Sequence, residues 1–298
     1  MRVLCLGEAL VDLVCERPVA SLAESESFAR HFGGATANVA VHAARLGARV
    51  ALAGGAGDDA FGRWLAERLA AEGVDTTFFA LTDASPTPVA LVAVDESGEP
   101  DFTIHGEGIA SVVHALGDRV EEAVGASDAL FFASNTLVGE EERAVTMRAR
   151  ELALEANKPV VVDANLRLHR WRSKADAAAT VNACVPDAFL LRANAAEAEL
   201  LTGEPDPAKA ATALLKAGAR LVLLSLGAEG AMLRGAVRRD APGVPAAKVK
   251  STIGAGDALT GTLVGRLALS DFYPSVASVA LPEAVAAGAR ACERWGAL

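Results

Sequence analysis

Short apolar runs alternate with segments of helical periodicity along most of the chain. Strands are predicted at residues 3–7, 50–53, 129–133, 159–163, 189–191 and 221–226, and helices at 38–46, 59–72, 140–156, within 175–184, 195–201, 207–217 and 258–268. The apolar positions at 160–162 and 221–224 are consecutive, as expected for strands that are covered on both faces. Strand followed by helix at this spacing predicts an α/β fold, a mostly parallel central sheet with helices on both faces.

One section lacks the helices of this pattern. Residues 88–94 and 101–104 are predicted to form a β-hairpin around a turn at 95–99, and residues 11–14 and 28–32 are predicted to be further short strands. We expect the segments at about 11–32 and 86–108 to form a small β-sheet lid over one edge of the main sheet. The whole chain, 1–298, is then one α/β domain with a lid.

The composition limits where the protein acts and what it binds. Of the 298 residues 52% are hydrophobic, but no stretch reaches the roughly 18 uninterrupted apolar residues that a membrane-spanning helix needs. The formal charge of −10 argues against a nucleic acid or an anionic membrane as partner. The apolar run at the N-terminus is too short for a signal peptide, because an acidic residue, Glu8, follows it. The four cysteines lack C-x-x-C spacing. We therefore expect a cytoplasmic protein without a zinc site or disulfides.

The segment 251–259 contains the strongest indication of chemistry. A Gly254-Ala255-Gly256 turn precedes an apolar helix, and Asp257 lies at their junction. The N-terminus of a helix has unpaired N–H donors and a partial positive charge, so it attracts an anion such as a phosphate. A carboxylate there is useful if it orients or deprotonates a hydroxyl that attacks the phosphorus. The alternative is an ordinary acidic residue in a first helical turn.

Other polar clusters follow the ends of predicted strands, where ligands bind in open parallel sheets. Asp12 follows the first strand and is suited to accept hydrogen bonds from sugar hydroxyls, with a solvated loop acid as the alternative. Gly33 and Gly34 permit a ligand to approach the backbone, and the Asn38 amide can donate to and accept from hydroxyls. An ordinary glycine turn with an incidental asparagine is the alternative there.

Two later clusters combine acids with amides. Because alternate residues of an extended chain point the same way, Asp163, Asn165 and Arg167 are predicted to face one cleft, unless they form an ordinary polar loop. The guanidinium group suits a phosphate or a carboxylate. Asn194 and Glu197 match a helix capping box, and a role for Glu197 in binding magnesium through water is the competing interpretation.

A glycine-bearing turn at 225–230 is the last candidate. Ser225, Gly227 and Gly230 lie at the end of a predicted strand, so the Ser225 hydroxyl and the backbone can approach the phosphates of a nucleotide, although a tight β-turn is the alternative. The chain lacks a G-x-x-x-x-G-K-[ST] run, which excludes a Walker-type phosphate loop. The Gly254-x-Gly256 pair lacks a third glycine at position 259, which disfavours a dinucleotide fold.

In this order, the motifs resemble those of the ribokinase (PfkB) family of carbohydrate kinases over essentially the whole chain. The matching segments are Gly7-Glu8 through Asp12, Gly33-Gly34 through Asn38, Asp163-x-Asn165-x-Arg167, Asn194-x-x-Glu197, Ser225-x-Gly227 and Gly254 through Asp257. The resemblance implies a ribokinase-like α/β core with a β-lid, the use of ATP and Mg²⁺, and transfer of the γ-phosphoryl group to a sugar hydroxyl.

The resemblance also implies a role for each cluster. Asp257 corresponds to the catalytic base, and the amides of Gly254, Ala255 and Gly256 correspond to the anion hole. The residues implied in sugar binding are Asp12, Gly33, Gly34, Asn38, Arg167 and Asp257. Those implied in ATP binding are Asn194, Ser225, Gly227, Gly230, Gly254 and Gly256, with Glu197 bound to Mg²⁺ through water. Asp257 is expected to be ionised, because helix-terminus donors favour the charged form.

Within the family, Glu8 and the Asn-Leu-Arg sequence at 165–167 are most similar to the corresponding residues of bacterial fructokinases. The runner-up is a 2-keto-3-deoxygluconate kinase, since those enzymes share the Asp-x-Asn-x-Arg segment, and a nucleoside kinase is a third alternative. A non-catalytic sugar or nucleotide sensor is the alternative from another class, but a base, an anion hole and an acidic metal candidate argue against it. A homodimer through the lid is expected, since sheet edges invite pairing.

Four positions depart from the family pattern. Ser251 replaces an aspartate that is associated with a monovalent cation, which argues against activation by potassium. Gly106 replaces an arginine that contacts the substrate in fructokinase-like relatives, which weakens the assignment of fructose as the substrate. Val285 lies about where an adenine-side asparagine is common, so the nucleotide preference is open, and Leu259 replaces a phenylalanine as a packing change.

Overall fold

A nine-stranded sheet forms the centre of the computed structural model, which describes residues 1–105, 109, 113 and 116–298. The strands, in chain order, are β1 (Arg2–Leu6), β2 (Leu10–Pro18), β3 (Ala29–Gly33), β4 (Arg49–Gly57), β5 (Phe79–Thr82), β6 (Val89–Val94), β7 (Pro100–His105), β8 (Ala129–Ala133), β9 (Val160–Asp163), β10 (Leu190–Asn194), β11 (Leu221–Ser225), β12 (Gly230–Gly235) and β13 (Arg239–Pro242). The helices are α1 (Ala35–Arg45), α2 (Ala60–Ala71), α3 (Val120–Gly125), α4 (Glu140–Glu155), α5 (Lys174–Asn182), α6 (Ala195–Thr202), α7 (Pro207–Lys216), α8 (Ala255–Ala268) and α9 (Pro274–Ala291).

The central sheet has the strand order β13-β12-β11-β10-β9-β8-β1-β4-β5. The strands from β11 to β5 are parallel, whereas β12 and β13 form an antiparallel edge. Apolar residues pack on both faces, since Val3 and Cys5 of β1 belong to one core and Leu4 and Leu6 belong to another. The predicted α/β class is therefore confirmed.

A second, smaller sheet has the order β3-β2-β6-β7. Strands β2 and β6 are parallel, while the β2–β3 and β6–β7 pairs are antiparallel, so this sheet is mixed. The predicted hairpin and the two further short strands are confirmed in it. The last part of the predicted lid, 106–108, lies outside the described residues, and so does the prediction made for Gly106.

The apolar pattern does not indicate β5, β12, β13, α3 or α9. The first four are short, and the regular signal of α9 is obscured by its many alanines and by Pro282 in its interior. Helices α1 and α8 begin three residues earlier than predicted, because the small residues in their first turns carry no periodic signal. Within the described ranges, no helix combines the length and the apolar character needed to cross a membrane. The four cysteines are free thiols, and three of them are buried.

Candidate active site

The turn before α8 depends on Gly254. Its φ is 73°, and a Cβ atom at this position would collide with Ala297, so only glycine fits. The N–H groups of Gly256 and Asp257, the second and third residues of α8, have no acceptor among the described residues. The N–H of Ala255 donates to the carbonyl oxygen three residues earlier, at 3.2 Å. Of the three amides predicted for the anion hole, Ala255 therefore offers no free N–H, whereas those of Gly254 and Gly256, and that of Asp257 beside them, have no acceptor among the described residues.

Asp257 is 8% exposed and lies in the first turn of α8. Its Oδ2 atom accepts a hydrogen bond from Nδ2 of Asn38, 2.8 Å away. Burial raises the pKa of Asp257 to about 6, which outweighs the expected stabilisation of the charged form by the helix terminus. The pKa still lies below neutrality, so the carboxylate predominates at pH 7. An ionised acid that is held by an amide is able to take a proton from a hydroxyl.

A small cavity lies between the small sheet and the start of α8. The predicted sugar-binding residues that line it are Asp12, Gly34, Asn38, Arg167 and Asp257. Gly33 does not line this small cavity, but a Cβ atom at Gly33 would lie 2.5 Å from the Asp12 carboxyl group. Burial, followed by repulsion from the Asp257 carboxylate, raises the pKa of Asp12 to about 8. The small cavity therefore holds two acids whose pKa values differ, together with an amide and a guanidinium group.

Arg167 does not share the small cavity with Asp163 and Asn165, contrary to the prediction of one common cleft. The chain is not extended after β9, because Asn165 has a φ of 29°, so the alternation of side chains is lost. Asp163 is 1% exposed and forms an ion pair with Arg192, with 3.1 Å between Oδ1 and Nη1. The Arg167 guanidinium instead lies over the Phe102 ring, with its Cζ 5.2 Å from the ring centroid.

Two residues of the small cavity, Glu8 and Asn135, were not predicted as site residues. Glu8 is fully buried, and its Oε1 accepts hydrogen bonds from the Ala35 N–H at 3.2 Å and from Nδ2 of Asn135 at 3.1 Å. Glu8 therefore holds the N-terminus of α1 against the end of β8. A signal for Asn135 exists in the sequence, because it is a polar residue two positions after an apolar strand, at the sheet edge where ligands bind.

A large cavity of about 600 Å³ lies on the other side of the α8 turn. The predicted ATP-binding residues that line it are Ser225, Gly227, Gly230 and Gly256, and Leu259 and Val285 also line it. Gly254 instead lines the small cavity with Asp257, while Ala255 and Gly256 line the large one. The two cavities therefore meet at one helical turn.

Asn194 and Glu197 form the predicted capping box of α6. The Glu197 N–H donates to Oδ1 of Asn194, and the Asn194 N–H donates to Oε2 of Glu197, both at 2.8 Å. Oε1 of Glu197 accepts from the Leu166 N–H at 2.7 Å, and burial raises the pKa of Glu197. Asn194 is paired in register with Ser225 but does not line the large cavity, so the structure does not place it where it was predicted to contact ATP.

A magnesium ion fits this site only as part of a nucleotide complex. Among the described residues, no three His, Cys, Asp or Glu side chains cluster as a metal site. Both oxygens of Glu197 already accept backbone N–H groups, so only their remaining lone pairs are left for metal-bound water. This suits Mg²⁺, which takes most of its ligands from phosphates and water when it accompanies ATP.

The chain matches the family described as "pfkB family carbohydrate kinase" over residues 1–295. Its sequence is 33% identical over 271 residues to that of fructokinase-1 of Oryza sativa subsp. japonica. The aligned region covers 89% of this chain and 82% of that protein. A crystal structure of a Vibrio cholerae O395 fructokinase double mutant, with fructose, ADP and potassium ion bound, matches with a TM-score of 0.86 at 29% identity and covers 99% of this chain and 93% of that chain. The crystal structure of aminoimidazole riboside kinase from Salmonella enterica, complexed with aminoimidazole riboside and an ATP analogue, matches with a TM-score of 0.84 at 27% identity. The match covers 100% of this chain and 95% of that chain.

Proposed function

The chain belongs to the pfkB family of carbohydrate kinases, and we propose that it transfers the γ-phosphoryl group of ATP to a hydroxyl of fructose. The family makes the chain an ATP-dependent sugar kinase, and the fructokinases among its relatives support fructose as the sugar. One observation carries the proposal, namely that the two cavities meet at the first turn of α8. A hydroxyl in the small cavity and a terminal phosphate in the large cavity would lie on either side of that turn.

The residues of the turn suit an in-line transfer. A sugar hydroxyl beside Asp257 attacks the γ-phosphorus, the bond between the γ-phosphorus and the bridging oxygen of ADP breaks, and Asp257 takes the hydroxyl proton late in the reaction. The free N–H groups of Gly256 and Asp257 donate to the oxygens of the transferring phosphoryl group. Asn38 holds the Asp257 carboxylate, and Asp12 orients the sugar. Mg²⁺ bound with ATP would neutralise part of the phosphate charge.

A sugar acid is the second candidate, because Arg167 brings a guanidinium group into the small cavity. The Phe102 ring supports this planar group, and a guanidinium binds a carboxylate in bidentate geometry. A 2-keto-3-deoxygluconate kinase would use this contact. A nucleoside kinase is a third candidate, supported by the similarity to the aminoimidazole riboside kinase. A non-catalytic sensor is the alternative from another class.

ADP release with a panel of acceptors tests the proposal. The panel contains fructose, ribose, 2-keto-3-deoxygluconate and adenosine, each with ATP and Mg²⁺. We expect fructose to have the highest kcat/KM. A higher value for 2-keto-3-deoxygluconate would transfer the assignment to the sugar acid. Saturable sugar binding without ADP release from any acceptor would support the sensor.

The KM for the sugar is expected to fall roughly tenfold between pH 7 and pH 9, because an acid with a pKa of about 8 ionises over this range. The direction follows from the raised pKa of Asp12, since the carboxylate accepts stronger hydrogen bonds from sugar hydroxyls than the neutral acid does. On the acid side, kcat should fall as Asp257, whose pKa is about 6 in the absence of ligands, is protonated. Steady-state kinetics at saturating ATP measure both effects.

The control for this pH dependence is Asp12→Asn, whose side chain does not titrate. It should raise the KM and make it independent of pH, while the acid-side loss of kcat remains. A wild-type KM that is constant from pH 7 to pH 9 would show that Asp12 does not bind the sugar as a carboxylate.

We propose that catalysis does not require potassium, because of the surroundings of Ser251. Ser251 is fully buried, and its Oγ donates to the carbonyl oxygens of Arg294 and Trp295, at 3.0 and 3.3 Å. A neutral hydroxyl provides no negative charge for a monovalent cation. The kcat with fructose should therefore be little changed when KCl is replaced by choline chloride. Ser251→Asp, which adds a carboxylate beside these carbonyls, should introduce stimulation by potassium, and loss of most wild-type activity in choline chloride would contradict the proposal.

We further propose that the small sheet acts as a lid on a single domain of residues 1–298. The Thr252 N–H donates to the Gly98 carbonyl at 2.8 Å, so the β6–β7 turn contacts the segment that leads into α8. Strands β3 and β7 are the edges of this sheet, and exposed sheet edges favour pairing, which supports a homodimer through the lid. Sedimentation velocity would measure the oligomeric state.

We also propose a cytoplasmic location, where ATP is available. Fractionation of cells would test this location.

A further inference from the structure

Arg192 is a buried cation beside the large cavity, and the mechanism above leaves it without a role. It lies on β10, is 6% exposed and lines that cavity. Its Nη1 donates to Oδ1 of Asp163 at 3.1 Å, and its Nη2 donates to Oγ of Ser225 at 3.0 Å. Its Nε–H has no hydrogen-bond partner among the described residues. The guanidinium group is therefore held from two sides while part of its donor capacity is unused.

The same guanidinium group lies against the first turn of α8. A Cβ atom built at Gly256 would be 2.6 Å from Nη2 and 3.1 Å from Cζ of Arg192. Gly256 lines the large cavity as well, and its N–H is one of the amides of the turn that have no acceptor among the described residues. The positive charge and the free amide are therefore presented to the same part of the large cavity. A side chain at position 256 would displace the guanidinium group from this place.

The neighbours of Arg192 also connect it to α8, the helix that carries Asp257. Oδ2 of Asp163 accepts a hydrogen bond from Oγ1 of Thr260, one turn further along α8, at 3.1 Å. The ion pair between Asp163 and Arg192 is thereby attached to α8 itself. Ser225 was predicted to contact ATP, and the structure shows that its hydroxyl oxygen accepts from Arg192. Asp163 and Ser225 thus orient the guanidinium group.

A buried guanidinium group with spare donors at a helix N-terminus is suited to phosphate oxygens, which it binds with two parallel N–H groups. We propose that Arg192 binds the γ-phosphate of ATP and stabilises the charge on the phosphoryl group during its transfer, with Asp163 and Ser225 as positioning residues. Arg192 donates hydrogen bonds and exchanges no proton in this step. The inference rests on the proposed function, because it requires that ATP occupies the large cavity.

Arg150 provides a matched control within the same chain. It is buried to a similar degree, at 8% exposed, and its Nε also lacks a partner among the described residues. It lies on α4, where its Nη2 donates to the Pro186 carbonyl, and it lines neither the small nor the large cavity. Arg150→Gln therefore removes a buried guanidinium group without changing the large cavity.

The test compares Arg192→Gln, Arg192→Lys and Arg150→Gln in two measurements. Calorimetry without sugar gives the affinities for adenosine 5′-(β,γ-imido)triphosphate and for ADP, and steady-state kinetics with fructose give kcat. Arg192→Gln should lower kcat about 10²-fold, the usual effect of removing one donor to a transition-state oxyanion. It should weaken the binding of the triphosphate analogue much more than that of ADP. Arg192→Lys, which keeps the charge, should recover part of both losses, and Arg150→Gln should change neither.

Equal weakening of the triphosphate analogue and ADP, or an unchanged kcat, would overturn the proposal and leave Arg192 with a structural role. If Arg192→Gln does not fold, Arg192→Lys decides, because a γ-phosphate contact predicts a selective loss for the triphosphate analogue with lysine as well. The binding measurement needs no sugar. A wild type that phosphorylates none of the acceptors would therefore contradict the proposed function, while the two nucleotide affinities still test Arg192.

Discussion

Asp257→Asn is expected to lower kcat by about 10²-fold or more, within the range that general-base catalysis contributes. The asparagine has the same size as the aspartate, and its carbonyl oxygen can still accept the hydrogen bond from Asn38, so the small cavity keeps its shape. It cannot take the hydroxyl proton. At pH 9, where Asp12 is mostly ionised with or without the Asp257 charge, the KM for the sugar should therefore change little while the turnover falls. ADP release at saturating ATP and sugar measures kcat, and its dependence on sugar concentration gives the KM.

The control for this substitution is Asp176→Asn, which changes an acid at the same position of another helix. Asp176 is the third residue of α5, as Asp257 is the third residue of α8, but it lines neither cavity. Its replacement alters a helix-terminus charge without touching the site, so kcat should match the wild type. Near-normal turnover in Asp257→Asn would remove Asp257 from the role of base.

Asp257→Asn also tests the coupling between the two acids of the small cavity. The Asp257 carboxylate is one of the causes that raise the pKa of Asp12, after burial. Without that charge, Asp12 should ionise at a lower pH. The fall of the sugar KM with rising pH should therefore move to lower pH in this variant, even though its turnover is low.

The parts of the site that could be predicted from the sequence are those in which one short segment contains both the geometry and the chemistry. Gly254 and Asp257 are three residues apart, and the helix that follows is apolar, so the turn and its carboxylate are visible together. The Asn194 and Glu197 capping box is local for the same reason, and both of its hydrogen bonds are present. Local signals of this kind need no knowledge of the tertiary structure.

The parts that could not be predicted depend on which strands are neighbours. Arg192 lies one residue beyond the predicted strand at 189–191, but β10 continues to Asn194, and its register places Arg192 opposite Asp163 of β9. That register, rather than any spacing in the sequence, makes Asp163 a partner of Arg192 instead of a ligand in the same cleft as Arg167. The neighbour of Gly254 is Ala297, 43 residues away in sequence, so the tight fit of the turn is also a tertiary property.

Gly254→Ala is expected to lower kcat by about 10²-fold, the effect that a displacement of about 1 Å can have on a reacting geometry. The left-handed φ of 73° is strained for alanine, and the added methyl group would collide with Ala297, so the turn has to move. The free amides of Gly256 and Asp257 would move with it. The free energy of unfolding should fall by about 1–3 kcal/mol, as for other residues that are held in sparsely populated backbone conformations. Chemical denaturation measures this loss, and ADP release measures the turnover.

Gly47→Ala separates backbone strain from the collision. Gly47 follows α1 with a φ of 89°, and a Cβ atom there would meet nothing within 4 Å. This variant should lose stability through the left-handed conformation alone, about 1–2 kcal/mol, and keep its turnover. If Gly254→Ala lost the same stability and also kept its turnover, the α8 turn would not hold the transferring phosphoryl group. A loss of turnover in Gly254→Ala alone would instead mean that the position of this turn, rather than the overall stability of the fold, limits the reaction.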